Sequence, residues 1–139
     1  MSEAIIESAI FRCLRHEKSL LMFRIIYDEL PFTISGMNLT RKQYYSSLNT
    51  LINVGLVNKL NGRYKVTSLG KIVHEFLNFL GTTLANDYWK FAFIDILTNT
   101  NPPPPVDEQI EIVSSLIESK DTKEILLKEM LSKEMLSKY

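Results

Sequence analysis

The sequence predicts a mainly α fold carrying one small β-hairpin. Three observations lead to that class. Apolar residues recur at helical spacing through most of the 139 residues. Asn61-Gly62 stands between two short β-prone runs, and an Asn-Gly pair at such a position is the strongest short-range hairpin signal, because both turn positions need positive φ. A helix-forming run over 40–54 leads straight into that hairpin. Helix followed by hairpin is the sequence outline of a winged helix.

The N-terminal stretch, residues 3–15, reads as a helix. Ile6, Ala9, Ile10, Cys13 and Leu14 share one face, with Glu3, Glu7 and Arg12 elsewhere. A second helix is expected over 19–29, with Ser19 as N-cap and Leu21, Met22, Ile25 and Ile26 as its apolar stripe. The polar run Arg15-His16-Glu17-Lys18 is the joint, either between two helices or within one bent helix. Pro31 ends the segment, Phe32-Thr33-Ile34 has the composition of a very short strand, and Ser35-Gly36 reads as a turn. The interval before Leu39 is too short and too rich in Pro and Gly for a full helix, so a single loose turn is expected there.

Thr40 opens the central helix. Thr40 and Gln43 have the spacing of a capping box, and Leu39 with Tyr44 that of a hydrophobic staple. Tyr44, Leu48, Leu51 and Ile52 fall on one face and Lys42, Ser46, Asn49 and Asn53 on the opposite one, with Arg41 and Tyr45 at the border. Gly55 supplies the left-handed residue at the C-terminal end. In the hairpin, residues 57–60 pair with 63–67, setting Val57 across from Val66 and Lys59 across from Tyr64. Thr67 or Ser68 then caps a long apolar helix over 69–97, about 45 Å if unbroken, with a kink expected at Gly81-Thr82-Thr83. Its apolar surface is too broad for one face of a small domain. It packs either within the chain on the N-terminal helix or, as the sharper expectation, against the same helices of a second copy. Asn99-Thr100-Asn101 and Pro102 to Pro105 form a stiff break. Residues 107–119 read as an amphipathic helix with Ile110, Val113, Leu116 and Ile117 inward. The chain ends in a Lys-Glu-Met-Leu-Ser repeat at 128–132 and 133–137, whose five-residue period keeps no single helical face. The expected organisation is therefore an N-terminal helix (1–18), a winged-helix domain with its long helix (19–98), a Pro-rich linker (99–106) and a helical C-terminal segment (107–139).

Charge is distributed unevenly along a chain whose net charge is zero. Residues 1–30 carry four basic and five acidic groups, residues 31–74 six and none, residues 75–105 one and three, and residues 106–139 five and eight. Attraction to nucleic acid must therefore come from a local patch rather than from the whole molecule. The acid-free interval holds Arg41, Lys42, Lys59, Arg63, Lys65 and Lys71.

Cys13 is the sole cysteine, which rules out an intrachain disulfide and fits a cytoplasmic protein. With only His16 and His74 beside it, it makes a poor supply of metal ligands, and no metal or other cofactor is expected. The N-terminus lacks the basic start of a secretory signal, and no uncharged apolar run approaches the roughly 20 residues of a membrane span. None of the constellations that catalysis needs is present: no nucleophile with a spaced base, no close acid pair, no Gly-rich phosphate loop. The expectation is a non-enzyme.

One stretch, residues 39–71, LTRKQYYSSLNTLINVGLVNKLNGRYKVTSLGK, resembles the winged helix-turn-helix regulators of archaea. These often carry the pattern LTRKQYYSxLxxLxxxGLVxxxNGxYxLTSxGK. The close match covers roughly a quarter of the chain and extends loosely from Ser19 to about Leu97. Its specific parts are residues 40–45, Gly55-Leu56-Val57, and Thr67-Ser68 with Gly70-Lys71. The resemblance implies a transcription regulator that binds double-stranded DNA as a homodimer. Helix 40–54 would enter the major groove, the wing 57–67 would meet the backbone or minor groove, and the helix 69–97 would dimerise, with the N-terminal helix contributing.

On that reading Arg41, Lys42, Gln43, Tyr45, Ser46 and Asn49 suit base edges and nearby phosphate: Arg and Lys donate to guanine, while Gln and Asn pair with adenine. Lys59, Asn61, Arg63 and Lys65 form the wing surface, with Arg63 the foremost phosphate contact, and Lys71 adds one from the next helix. The bland counterparts are a solvated polar helix face and lysines that keep an exposed strand edge from aggregating. Tyr44 is expected in the core, Cys13 as a small buried hydrophobe, and His74 at the surface or an interface. The reading from a different class is a winged-helix protein–protein interaction module without specific DNA binding, in which the aromatic helix and the acidic C-terminal segment meet a partner. The acidic segment could also fold over the basic face.

Overall fold

The computed structural model describes residues 2–31 and 36–137. The fold is mainly helical with one two-stranded antiparallel hairpin. It divides into two compact units, Met1–Leu77 and Asn78–Tyr139.

The first unit begins with α1 (Glu3–Leu14), capped by the Ser2 hydroxyl, which accepts from the Ile5 N–H. Arg15 closes it by donating to the Phe11 carbonyl. His16 then turns extended (φ −79°, ψ 121°) and α2 (Glu17–Tyr27) starts, so the polar run joins two separate helices. The N-cap is therefore His16, with no side-chain cap bond, and not Ser19. Ser19 is buried in the first turn. Packing has overridden its capping preference, and Glu17 in the first turn complements the helix dipole instead. Helix α2 also stops earlier than expected. Leu30 N–H donates to Ile25 and Glu29 N–H to Ile26, with Glu29 in the left-handed region at φ 55°: a Schellman closure built on a non-glycine residue.

Residues 36–38 form a turn without a helix. The strand expected at Phe32-Thr33-Ile34, and Ser35 of the following turn, lie outside the described residues. Met37 and Leu39 are buried, so this segment joins the core through side chains rather than through a helical face.

Helix α3 (Arg41–Val54) begins at the expected capping box: the Thr40 hydroxyl accepts from the Gln43 N–H at 3.1 Å, and Gln43 Oε1 accepts from the Thr40 N–H at 3.0 Å. It ends at Gly55, φ 92°, where Gly55 and Leu56 N–H groups return to Ile52 and Leu51. Strands β1 (Val57–Leu60) and β2 (Arg63–Val66) pair Val57 with Val66 and Lys59 with Tyr64. Asn61 and Gly62 at φ 52° and 76° give the turn two positive-φ positions. The second strand is one residue shorter than expected, because Thr67 caps α4 (Ser68–Asn78): its hydroxyl accepts from the Gly70 N–H at 3.0 Å and donates to the Gly55 carbonyl. The core gathers Cys13 from α1; Met22, Phe23 and Ile26 from α2; Met37 and Leu39; Leu48 and Leu51 from α3; and Leu56 and Val57.

His74 is not at the surface. It is 6% exposed and stacks on Tyr27 with ring centroids 3.4 Å apart, near-parallel at 7°. Facing α2 is what buries it, and a helical pattern read alone does not reveal which neighbour covers a face.

The helix expected over 69–97 is helical throughout, with a change of pitch after α4 in the second unit. Phe79–Leu84 is π-helical, and α5 (Ala85–Thr98) follows. The segment includes Gly81-Thr82-Thr83, where a kink was expected, and the Thr82 hydroxyl donates to the Asn78 carbonyl. Helices α6 (Val106–Leu116) and α7 (Lys120–Ser137) complete the unit. Its core is Ile94, Val113 and Ile117, with Leu126, Leu127 and Met130 of α7 packed against it. Helix α7 thus contributes to a core as far as Met130, which lies inside the repeat whose five-residue period keeps no single helical face.

Candidate nucleic-acid interface

The capping box and the Gly55 closure fix both ends of α3, and burial of Leu48 and Leu51 fixes its rotation. Arg41, Lys42, Gln43, Tyr45, Ser46 and Asn49 are consequently all exposed. So is Asn53, which completes the polar face. Tyr44 is half-buried and meets the exposed Tyr45 edge-on at 5.1 Å. Burial pushes the Tyr44 phenol above its usual range, reinforced by Tyr64 and Tyr45.

Gln43 is partly committed. Its amide oxygen closes the capping box, which leaves one of its two lone pairs for another donor. Its amide nitrogen remains to donate.

Lys42, Gln43 and Ser46 line one shallow concavity with His16, Lys18 and Glu17 from the start of α2. The α2 residues were not singled out from the sequence. The signal that could have found them is the polar run Arg15-His16-Glu17-Lys18, read there only as a joint. Two lysines and a histidine add basic character, and Glu17 brings an acid beside a stretch that has none in sequence. Arg41, Tyr45 and Asn49 lie off this concavity.

The hairpin exposes Lys59, Asn61, Arg63 and Lys65. Lys59 Nζ stands 5.6 Å from the Tyr64 ring centroid, a cation–π contact that holds its stem along the strand. Arg63 follows directly on the positive-φ turn. Lys71 is exposed in the first turn of α4. All eleven residues belong to the first unit. Together they offer guanidinium, ammonium, amide and hydroxyl donors, which is the chemistry of a surface that binds phosphate and base edges.

Among the described residues, no group of three His, Cys, Asp or Glu is placed to hold a metal ion. No described helix is long and apolar enough to cross a membrane. No protein-family model, curated protein or solved structure matches the chain.

Proposed function

We propose that this protein is a winged helix-turn-helix transcriptional regulator that binds double-stranded DNA in a sequence-specific way as a homodimer. Helix α3 lies in the major groove, and the β1–β2 wing lies on the backbone or in the minor groove. The observation that carries this reading is the exposed polar half of α3, with Arg41, Lys42, Tyr45, Ser46 and Asn49, standing opposite a buried Leu48–Leu51 face in a stretch with no acidic residue. Arg41 and Lys42 sit in the first turn of α3, where the helix dipole also favours a phosphate. A second copy is drawn in by apolar side chains exposed on α1 and on the helices after the wing, among them Phe11, Ile72 and Phe76.

The test is fluorescence anisotropy of a labelled duplex across a salt series, with Lys42→Glu and Arg63→Glu beside the wild type. Log affinity should fall linearly with log salt, by about −0.9 per phosphate neutralised. Both variants should bind more weakly with a shallower slope, while their circular dichroism stays unchanged. Equal affinity in both variants would remove this surface from consideration.

A second reading is supported by Tyr88, Trp89 and Ile96, which are 78%, 63% and 69% exposed. Aromatic exposure of that extent on a chain of zero net charge fits a protein-interaction module. No DNA binding even at low salt would favour it.

A further inference from the structure

Helix α2 begins without a cap. His16 makes no side-chain bond to its first turn, and the Leu20 N–H is the first to bond back, at the His16 carbonyl. The N–H groups of Glu17, Lys18 and Ser19 therefore have no partner within the helix. The other helices of the first unit begin on a hydroxyl: Ser2 caps α1, Thr40 caps α3 and Thr67 caps α4. The uncapped end opens on the concavity shared with α3, and Ser19 belongs to its lining. Ser19 is 4% exposed, and its hydroxyl has no hydrogen-bond partner among the described residues. Buried hydroxyls are normally satisfied. Lys18 of α2 and Lys42 of α3 line the same concavity, and neither joins an ion pair among the described residues.

We infer that this concavity binds a small free phosphate, either inorganic phosphate or the end group of a small phosphate ester. The helix end supplies backbone donors and the positive pole of the α2 dipole. The two ammonium groups supply charge, and the Ser19 hydroxyl supplies a donor from the recessed part of the lining. An anion with several acceptor oxygens satisfies all of these at once. A neutral ligand would leave both lysines unanswered. Glu17, the acid in the same lining, bears on the source of the phosphate. A duplex would set a row of phosphates against that carboxylate, whereas a lone phosphate sets one. Lys42, Gln43 and Ser46 also belong to the proposed DNA face, so the small anion and the duplex should exclude each other. That exclusion, unlike the site itself, rests on the DNA-binding reading.

The experiment is a titration of the full chain with inorganic phosphate, followed through the backbone amide resonances, with chloride at matched ionic strength as control. The amides of Glu17, Lys18 and Ser19 should shift and saturate with phosphate and not with chloride. Ser19→Ala should weaken phosphate binding about tenfold, as expected for a lost hydrogen bond to a charged group. Lys18→Glu, at an exposed position, should weaken it further, and Glu17→Gln should strengthen it, all with unchanged circular dichroism. Equal shifts with chloride, or phosphate affinity that neither Ser19→Ala nor Lys18→Glu changes, would overturn the site. A labelled duplex added to the same protein separates the sources. A free-phosphate site predicts that the duplex leaves these three amides in place and that phosphate displaces it. A duplex that moves them as phosphate does would show that a strand fills the recess, and would overturn the free ligand. Saturable phosphate binding with no duplex binding at low salt would end the DNA-binding reading and leave the phosphate site standing.

Discussion

A Cβ at Gly70 would overlap the Leu56 carbonyl oxygen and the Val66 Cγ1. One of those atoms is backbone at the end of α3 and the other belongs to a side chain of the hairpin, so neither yields freely. Gly70→Ala should therefore destabilise the first unit by about 1–3 kcal/mol, the usual cost of overpacking, read as a lower midpoint in urea. An unchanged midpoint would mean that α4 can slide away from the hairpin at no cost. Single residues also mark where sequence reading reaches its end. Cys13 was legible as a small hydrophobe and is buried. His74 was not, because its burial depends on Tyr27 and Phe23 from α2, a contact between helices some fifty residues apart in sequence. Gln43 was legible as a cap, and its oxygen accepts the Thr40 N–H.

At the scale of elements, α3 and the hairpin owe their form to local chemistry. Thr40→Ala removes the acceptor for the Gln43 N–H and should cost about 1 kcal/mol. If the proposed DNA contacts of Arg41 and Lys42 depend on the cap for their position, affinity for a labelled duplex should fall with it, and the anisotropy titration reads this. A variant with full stability would show that the first turn of α3 needs no side-chain cap. Such elements were readable because a capping box, a C-terminal glycine and an Asn-Gly turn act over a few residues. Helix α2 was placed two residues late because Ser19, a good cap in isolation, is better used in the core. The packing of α7 was not legible for a related reason: Leu126, Leu127 and Met130 pack on the core of Ile94, Val113 and Ile117, and Met130 lies in a repeat whose five-residue period shows no single face.

The whole molecule has no net charge, yet all six of its charged residues between positions 31 and 74 are basic. Attraction to a polyanion thus depends on a small local count of charges and should be unusually sensitive to each. Wild-type protein should be retained on heparin at moderate salt despite a sequence pI of about 6.7, and Arg63→Glu, which removes one cation and adds an acid, should elute distinctly earlier. Co-elution of the two would place the interaction elsewhere on the chain. This uneven charge was fully legible in the sequence. The sharing of one concavity by Glu17 and Lys42 was not, since it follows from how α2 packs on α3.

The Thr67 hydroxyl joins three elements at once. It donates to Gly55, where α3 ends, accepts from Gly70, where α4 begins, and stands at the foot of β2. The hairpin is therefore clamped at its root and open at its tip. Homologous chains that need a longer reach must gain it by insertion at Asn61-Gly62, because an added residue near Thr67 would unlock both helices together. The length of the finger is free to vary, and the angle of the knuckle is not.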